Sequence, residues 1–183
     1  MLLKKLEMIV FNITYKCNCK CAHCFYFPRS DNHHSINPDM VEDCLKSIDG
    51  CHNIRNIHFA GGEPFYYYEI LLECLERCRK LGFNNFSVST NAGWADSLDV
   101  AKERVNKLRE LGVSIIQVSA DAFHQRAVPL ERVLNVLKAS NVGREKGKYD
   151  MSTYVDSVYL GYKTYDCFLN RQTDEIGQKI WDA

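Results

Sequence analysis

The chain has 183 residues, 46% of them hydrophobic and 25% charged, with 23 basic side chains against 23 acidic ones. That length suits one ordinary globular core, and the even charge supplies no net field toward nucleic acid or an anionic membrane. No apolar run reaches the roughly 18 residues of a membrane span, and the opening "MLLKKLEMIVF" lacks an h-region and a cleavage site, so one cytoplasmic domain over residues 1–183 is the expectation.

The first strand-length apolar run is "LEMIVFNI". It feeds "YKCNCKCAHCFYF", Tyr15 to Phe27, where Cys17, Cys19, Cys21 and Cys24 fall within eight residues. A helix is predicted in "NPDMVEDCLKSIDG": Asn37 suits the N-cap, Pro38 the first turn, and Val41, Leu45 and Ile48 share a face. The second strand, "IRNIHFA", runs into Gly61-Gly62-Glu63-Pro64. A helix over about 66–81 then aligns Ile70, Leu71, Cys74, Leu75, Cys78 and Leu81. The third strand, "FNNFSVS", ends in "STNAG", Ser89 to Gly93, before a helix over about 97–111. The fourth, "VSIIQVSA", ends in "SADAFHQ", and a helix starts at Pro129. The run "STYVDSVYL" reads as a fifth strand, with a last helix around Asp174–Trp181.

Glycines at 50, 82, 112 and 143 recur at about one strand–helix unit, and the first three sit where a helix-ending residue belongs. The strands are rich in Val, Ile and Phe and alternate only in part, as parallel strands covered by helices do. Strand–helix order therefore predicts an α/β fold of about five to six units, an open parallel sheet or a partial barrel. In such folds ligands sit beyond the carboxyl ends of the strands. The cysteine loop, the glycine pair, "STNAG" and "SADAFHQ" all fall on that rim.

Nine cysteines is an odd count with no sign of secretion, so crowded thiolates point to a metal or cluster before a disulfide framework. Zinc is the main rival for the loop, and a redox thiol pair a lesser one. Cys44, Cys74 and Cys78 lie on predicted helices as small buried hydrophobes, while Cys51 and Cys167 have no assigned place.

Cys17, Cys21 and Cys24 form C-x3-C-x2-C, and the next strand leads directly to Gly-Gly-Glu-Pro. In this order, with "TN" and S-x-D at later strand ends, the chain resembles the radical S-adenosylmethionine (SAM) enzyme superfamily over about residues 7–140. The resemblance implies a partial parallel (β/α) barrel and a 4Fe–4S cluster held by Cys17, Cys21 and Cys24, its fourth iron left to SAM. It also implies that the cluster reductively cleaves SAM and that a 5′-deoxyadenosyl radical then abstracts a substrate hydrogen. Gly61 and Gly62 would let backbone approach the ligand, Glu63 would accept from the SAM ammonium, and Pro64 would stiffen the turn. His23 takes the position near the adenine, and Asn91, Ser119 and Asp121 are placed to meet the methionyl or ribose groups. Cys19 is expected to point away, because a fourth thiolate would close the open iron. His124 and Gln125 face the rim, to touch substrate or be solvated.

The resemblance further implies an external electron donor. Small relatives often act on peptides or activate glycyl-radical enzymes, so the expected substrate is a peptide or protein, with a small metabolite as the alternative. The family core usually has six strand–helix units, and five are recognisable here. The chain is therefore read as a truncated or minimal core, or one completed by a partner subunit. Only Cys167 lies beyond Cys78, so no auxiliary-cluster segment is expected. The rival class is a non-catalytic iron–sulfur or zinc-binding interaction module derived from such an enzyme.

Overall fold

The computed structural model describes residues 6–24, 26, 33–48, 54–141, 152–156 and 179. Five strands, β1 (Met8–Thr14), β2 (Asn56–Gly61), β3 (Phe86–Thr90), β4 (Val113–Ser119) and β5 (Ser152–Asp156), form one sheet in sequence order. Every adjacent pair is parallel. Helices α1 (Pro38–Ser47), α2 (Tyr68–Lys80), α3 (Leu98–Glu110) and α4 (Leu130–Asn141) fill the connections. A parallel sheet that grows by one unit at a time in one direction is the geometry of a partial (β/α) barrel. This is the fold expected from the sequence.

The strands have two distinct faces. Phe11, Ile13, Ile57, Phe59, Phe86, Val88, Ile116 and Val118 point toward the helices and are buried there. On the opposite face, beside the apolar Met8, Val10 and Ile115, polar side chains of β2, β3 and β4 bond one another. Ser87 Oγ donates to Asn56 Oδ1 (2.7 Å), and the His58 ring hydrogen-bonds Ser87 (2.7 Å) and Ser89 (2.9 Å). Ser89 Oγ donates on to Gln117 Oε1 (2.8 Å). Helices thus cover one face, and the alternation is incomplete because Met8, Val10 and Ile115 are apolar on the other.

Local signals set the helix ends. Asn37 Oδ1 accepts from Asp39 N (2.9 Å) and Ser97 Oγ from Val100 N (3.2 Å), as N-caps do. The expected 66–81 helix begins with a 3-10 turn, Pro64–Tyr67, and becomes α-helical at Tyr68. Gly82 (φ 93°) and Gly112 (φ 90°) end α2 and α3 in the left-handed region. Cys74 and Cys78 are buried as expected, but Cys44 is exposed. Burial on α1 is confined to Pro38, Val41 and Leu45, and Cys44 lies off that stripe. Gly50, Cys51, Gly143, Cys167 and the helix expected at Asp174–Trp181 lie outside the described residues, except position 179, which is helical.

Candidate functional site: a four-thiol cavity on the carboxyl rim

The chain leaves β1 at Thr14 and enters the cysteine loop, and the end of β2 clamps that loop from below. Gly62 N donates to Thr14 O (2.7 Å) and Glu63 N to Lys16 O (2.8 Å). Both glycines are dictated by this approach. A Cβ on Gly61, whose φ is +127°, would lie 2.2 Å from Thr14 O, and one on Gly62 would lie 2.3 Å from Lys16 O. The glycine pair was expected to make room for a ligand. The backbone that presses closest is the cysteine loop itself, although both glycines also line the cavity above it.

Cys17, Cys19, Cys21 and Cys24 line that cavity, about 110 Å³, together with Ser119 and His124. Cys19 was expected to face away. It is 5% exposed and shares hydrogen bonds with the thiols of both Cys17 and Cys21. Burial alternates along the loop, with Asn18, Lys20 and Ala22 exposed and Cys19 and Cys21 buried, so Cys19 and Cys21 turn the same way. Alternation within C-x-C-x-C was the overlooked signal. As proton donor to its neighbours, Cys19 is pushed up, while its hydrogen bonds hold Cys17 and Cys21 below the usual thiol range.

Asn91 closes one wall. Its Nδ2 donates to Asn18 Oδ1 (2.8 Å) and lies 3.5 Å from Cys17 Sγ and 3.4 Å from Cys19 Sγ, while its Oδ1 accepts from Gly93 N (2.8 Å). Beneath it, Glu63 is buried and accepts three protein hydrogen bonds, from Phe65 N (3.2 Å), Thr90 Oγ1 (2.9 Å) and Asn91 N (2.7 Å). A carboxylate has about four lone-pair sites, so one stays available. Burial pushes the Glu63 carboxyl up to about 7 against the pull of those hydrogen bonds. Pro64 opens the 3-10 turn that Glu63 caps. Glu63 also borders a second cavity of about 350 Å³, walled by the stacked rings of Phe65 and Trp94 (4.1 Å apart) and by Arg104 and Arg132.

On the far wall, Asp121 is 1% exposed and turned to His124, accepting its Nδ1–H at 2.9 Å. Asp121 Oδ1 also accepts from the backbone N of Phe123 (2.9 Å) and His124 (3.0 Å). The His124 ring in turn hydrogen-bonds the Cys21 thiol. Burial favours the neutral ring, but Asp121 and Cys21 outweigh it and raise His124 to about 10. Asp121 is likewise pushed up by burial and drawn below the usual carboxylate range by His124. His23 packs on Phe123 (4.5 Å between ring centroids), with Nε2 3.8 Å from Asp121 Oδ2. The carboxylate thus stands behind His124, and His124 is the residue on the cavity wall. Sequence reading underrated His124; its i+3 spacing from an aspartate at a strand end was the available signal.

The donor set fits an iron–sulfur cluster. Four soft sulfurs line one cavity, and the Asn91 amide N–H lies within hydrogen-bond reach of two of them, the kind of contact that tunes such a cluster.

The family model described as the Radical SAM superfamily matches residues 11–166. YydG of Bacillus subtilis (strain 168), a protein named for peptide biosynthesis, is 23% identical over 174 residues, covering 95% of this chain and 51% of that protein. The Fe-coproporphyrin III synthase of Methanosarcina barkeri (strain Fusaro) is 30% identical over 123 residues, 66% of this chain and 29% of that protein. The chain thus spans about half, or less, of the length of these curated relatives. Among solved structures, Streptococcus suis SuiB bound to its precursor peptide SuiA aligns with a TM-score of 0.62 at 18% identity, over 96% of this chain and 37% of that one. The AdoMet-bound structure of anSMEcpe aligns with a TM-score of 0.55 at 20% identity, over 95% of this chain and 48% of that one. These two likenesses are of fold.

Proposed function

Because the chain belongs to the radical SAM superfamily, we propose that it is an enzyme that abstracts hydrogen from a peptide or protein, using a 4Fe–4S cluster and SAM bound in the four-thiol cavity. One observation carries this reading: the C-x3-C-x2-C loop and the Gly-Gly-Glu-Pro turn, 37 residues apart between Cys24 and Gly61, are hydrogen-bonded into a single site. Bound there, the cluster and SAM supply one-electron chemistry that ends in removal of a hydrogen atom from the substrate.

The chain's own residues divide the work. Cys17, Cys21 and Cys24 hold iron. Gly61 and Gly62 keep the loop against β2, so the thiols are positioned by the sheet and not by a free loop. Glu63 offers its last lone pair to the SAM ammonium, and Pro64 fixes the turn that presents it. Asn91 and Ser119 supply polar contacts from the ends of β3 and β4, and Asn91 also steadies the sulfurs. Asp121 holds His124 against Cys21, and His23, packed on Phe123, offers a flat face for the adenine. The electron comes from an external donor.

A peptide or protein substrate is supported by the peptide-related names of YydG and SuiB. The polar inner face of the sheet, around His58 and Gln117, offers hydrogen-bond partners for such a chain. The convergence of a fourth thiol also suits tetrahedral zinc, the site of a non-catalytic module.

Metal analysis separates the two. The 183-residue chain is reconstituted with iron and sulfide without oxygen, then offered SAM. The enzyme reading expects about four irons with matching sulfide and saturable SAM binding. Tight zinc retained against iron, with no SAM binding, would overturn it.

A further inference from the structure

We propose that Cys19 is a fourth, exchangeable cluster ligand: it holds the remaining iron while SAM is absent and gives that iron up when SAM binds. The inference rests on the cluster reading above and goes beyond the three-cysteine set. Cys19 is buried and lines the thiol cavity beside Cys17, Cys21 and Cys24. Its backbone N donates to Cys17 Sγ at 3.3 Å, which fixes the turn that carries its own sulfur inward. Asn91 treats Cys17 and Cys19 alike, with Nδ2 3.5 Å from one sulfur and 3.4 Å from the other. Cys19 is more deeply buried than Cys17 and Cys24 and lines the same cavity as the three motif cysteines.

A thiol so placed either donates its S–H to the neighbouring sulfurs or, once deprotonated, binds the iron, and the second is the role proposed. An iron without a protein ligand would lie within the same small cavity as a buried sulfur, and thiolates bind iron strongly. Bonds balance in the exchange. The iron–sulfur bond to Cys19 breaks as the amino nitrogen and carboxylate oxygen of SAM bond to the iron. The freed thiolate takes a proton from solvent, and no electron moves. Two consequences follow: the SAM-free cluster is protected from losing iron, and SAM binding is weakened by the competition.

Both are read without turnover. The wild-type chain and Cys19→Ala are reconstituted anaerobically without SAM and titrated with ferricyanide, and the 3Fe–4S product is followed by electron paramagnetic resonance. SAM affinity is measured on the same samples before oxidation. Cys19→Ala should lose its fourth iron at several-fold lower oxidant than wild type and bind SAM several-fold more tightly. If Cys19→Ala takes up no iron, Cys19→Ser, which keeps the side-chain volume, serves the same comparison. Equal iron loss and equal SAM affinity in loaded wild type and variant overturn the role of Cys19 and leave the cluster reading standing. A wild-type chain that takes up no cluster overturns both.

Discussion

At the residue scale, Glu63 joins the two motifs, and its buried carboxyl makes that junction sensitive to pH. Its pKa is raised from 4.5 to about 7, mainly by burial. Between those values the folded chain keeps a proton that the unfolded chain has lost. The stability Glu63 contributes is therefore full below pH 4.5 and is lost as the pH rises through 7. At about 1.4 kcal/mol per pKa unit, the swing is on the order of 3 kcal/mol. Denaturant midpoints of wild type and Glu63→Gln at pH 5 and pH 8 should show wild type losing stability relative to the variant at the higher pH. A stability difference that does not change with pH would remove the buried carboxyl as the cause. A cation beside Glu63 should favour its charged form, so SAM binding should release protons near neutral pH, measurable by calorimetry in buffers of different ionisation enthalpy. At this scale the sequence was read unevenly. Cys17, Cys21, Cys24 and the glycine pair were legible because their spacing is itself the signal. Cys19 and His124 were missed although their signals were local, spacings of two and three residues, whereas Thr90 was not legible because its partner, Glu63, lies 27 residues away.

At the element scale, strands and helices followed from local rules. The four described helices start and stop within a few residues of the expected positions, since Asn37, Pro38, Gly82 and Gly112 each impose a backbone conformation or a cap. The two-faced character of the strands was missed because Asn56 and His58 on β2, Ser87 and Ser89 on β3 and Gln117 on β4 satisfy one another across three strands, a pattern no single strand displays. The end of β2 is the element on which the site depends most. Gly62→Ala would drive a Cβ into the Lys16 carbonyl. It should cost about 2–4 kcal/mol in urea unfolding and lower iron uptake, because the cysteine loop must lift away. Gly82→Ala is the control: its φ is positive, unlike that of Gly62, but nothing lies within 4 Å of the added Cβ. It should cost about 1 kcal/mol and leave iron uptake unchanged. Equal costs at the two positions would show that clamping of the loop is not what Gly62 provides.

At the scale of the whole molecule, the order of elements was enough to give the parallel sheet, and the sequential strand order turned the choice between open sheet and partial barrel toward the barrel. The polar and glycine-rich pieces gathered on one rim because in a parallel sheet every strand points its carboxyl end the same way. What the molecule acts on was not legible, since substrate choice in such a fold lies in side chains of the inner face and rim, and the same scaffold serves many of them. The account's central claim is that the cysteine loop and the Gly-Gly-Glu-Pro turn make one working site, and its most direct measurement is product formation from SAM. The 183-residue chain, loaded with cluster and chemically reduced without oxygen, should convert SAM to 5′-deoxyadenosine, while a Cys21→Ala/Cys24→Ala double variant should not. Fully loaded, reduced wild type that forms no 5′-deoxyadenosine would contradict the claim.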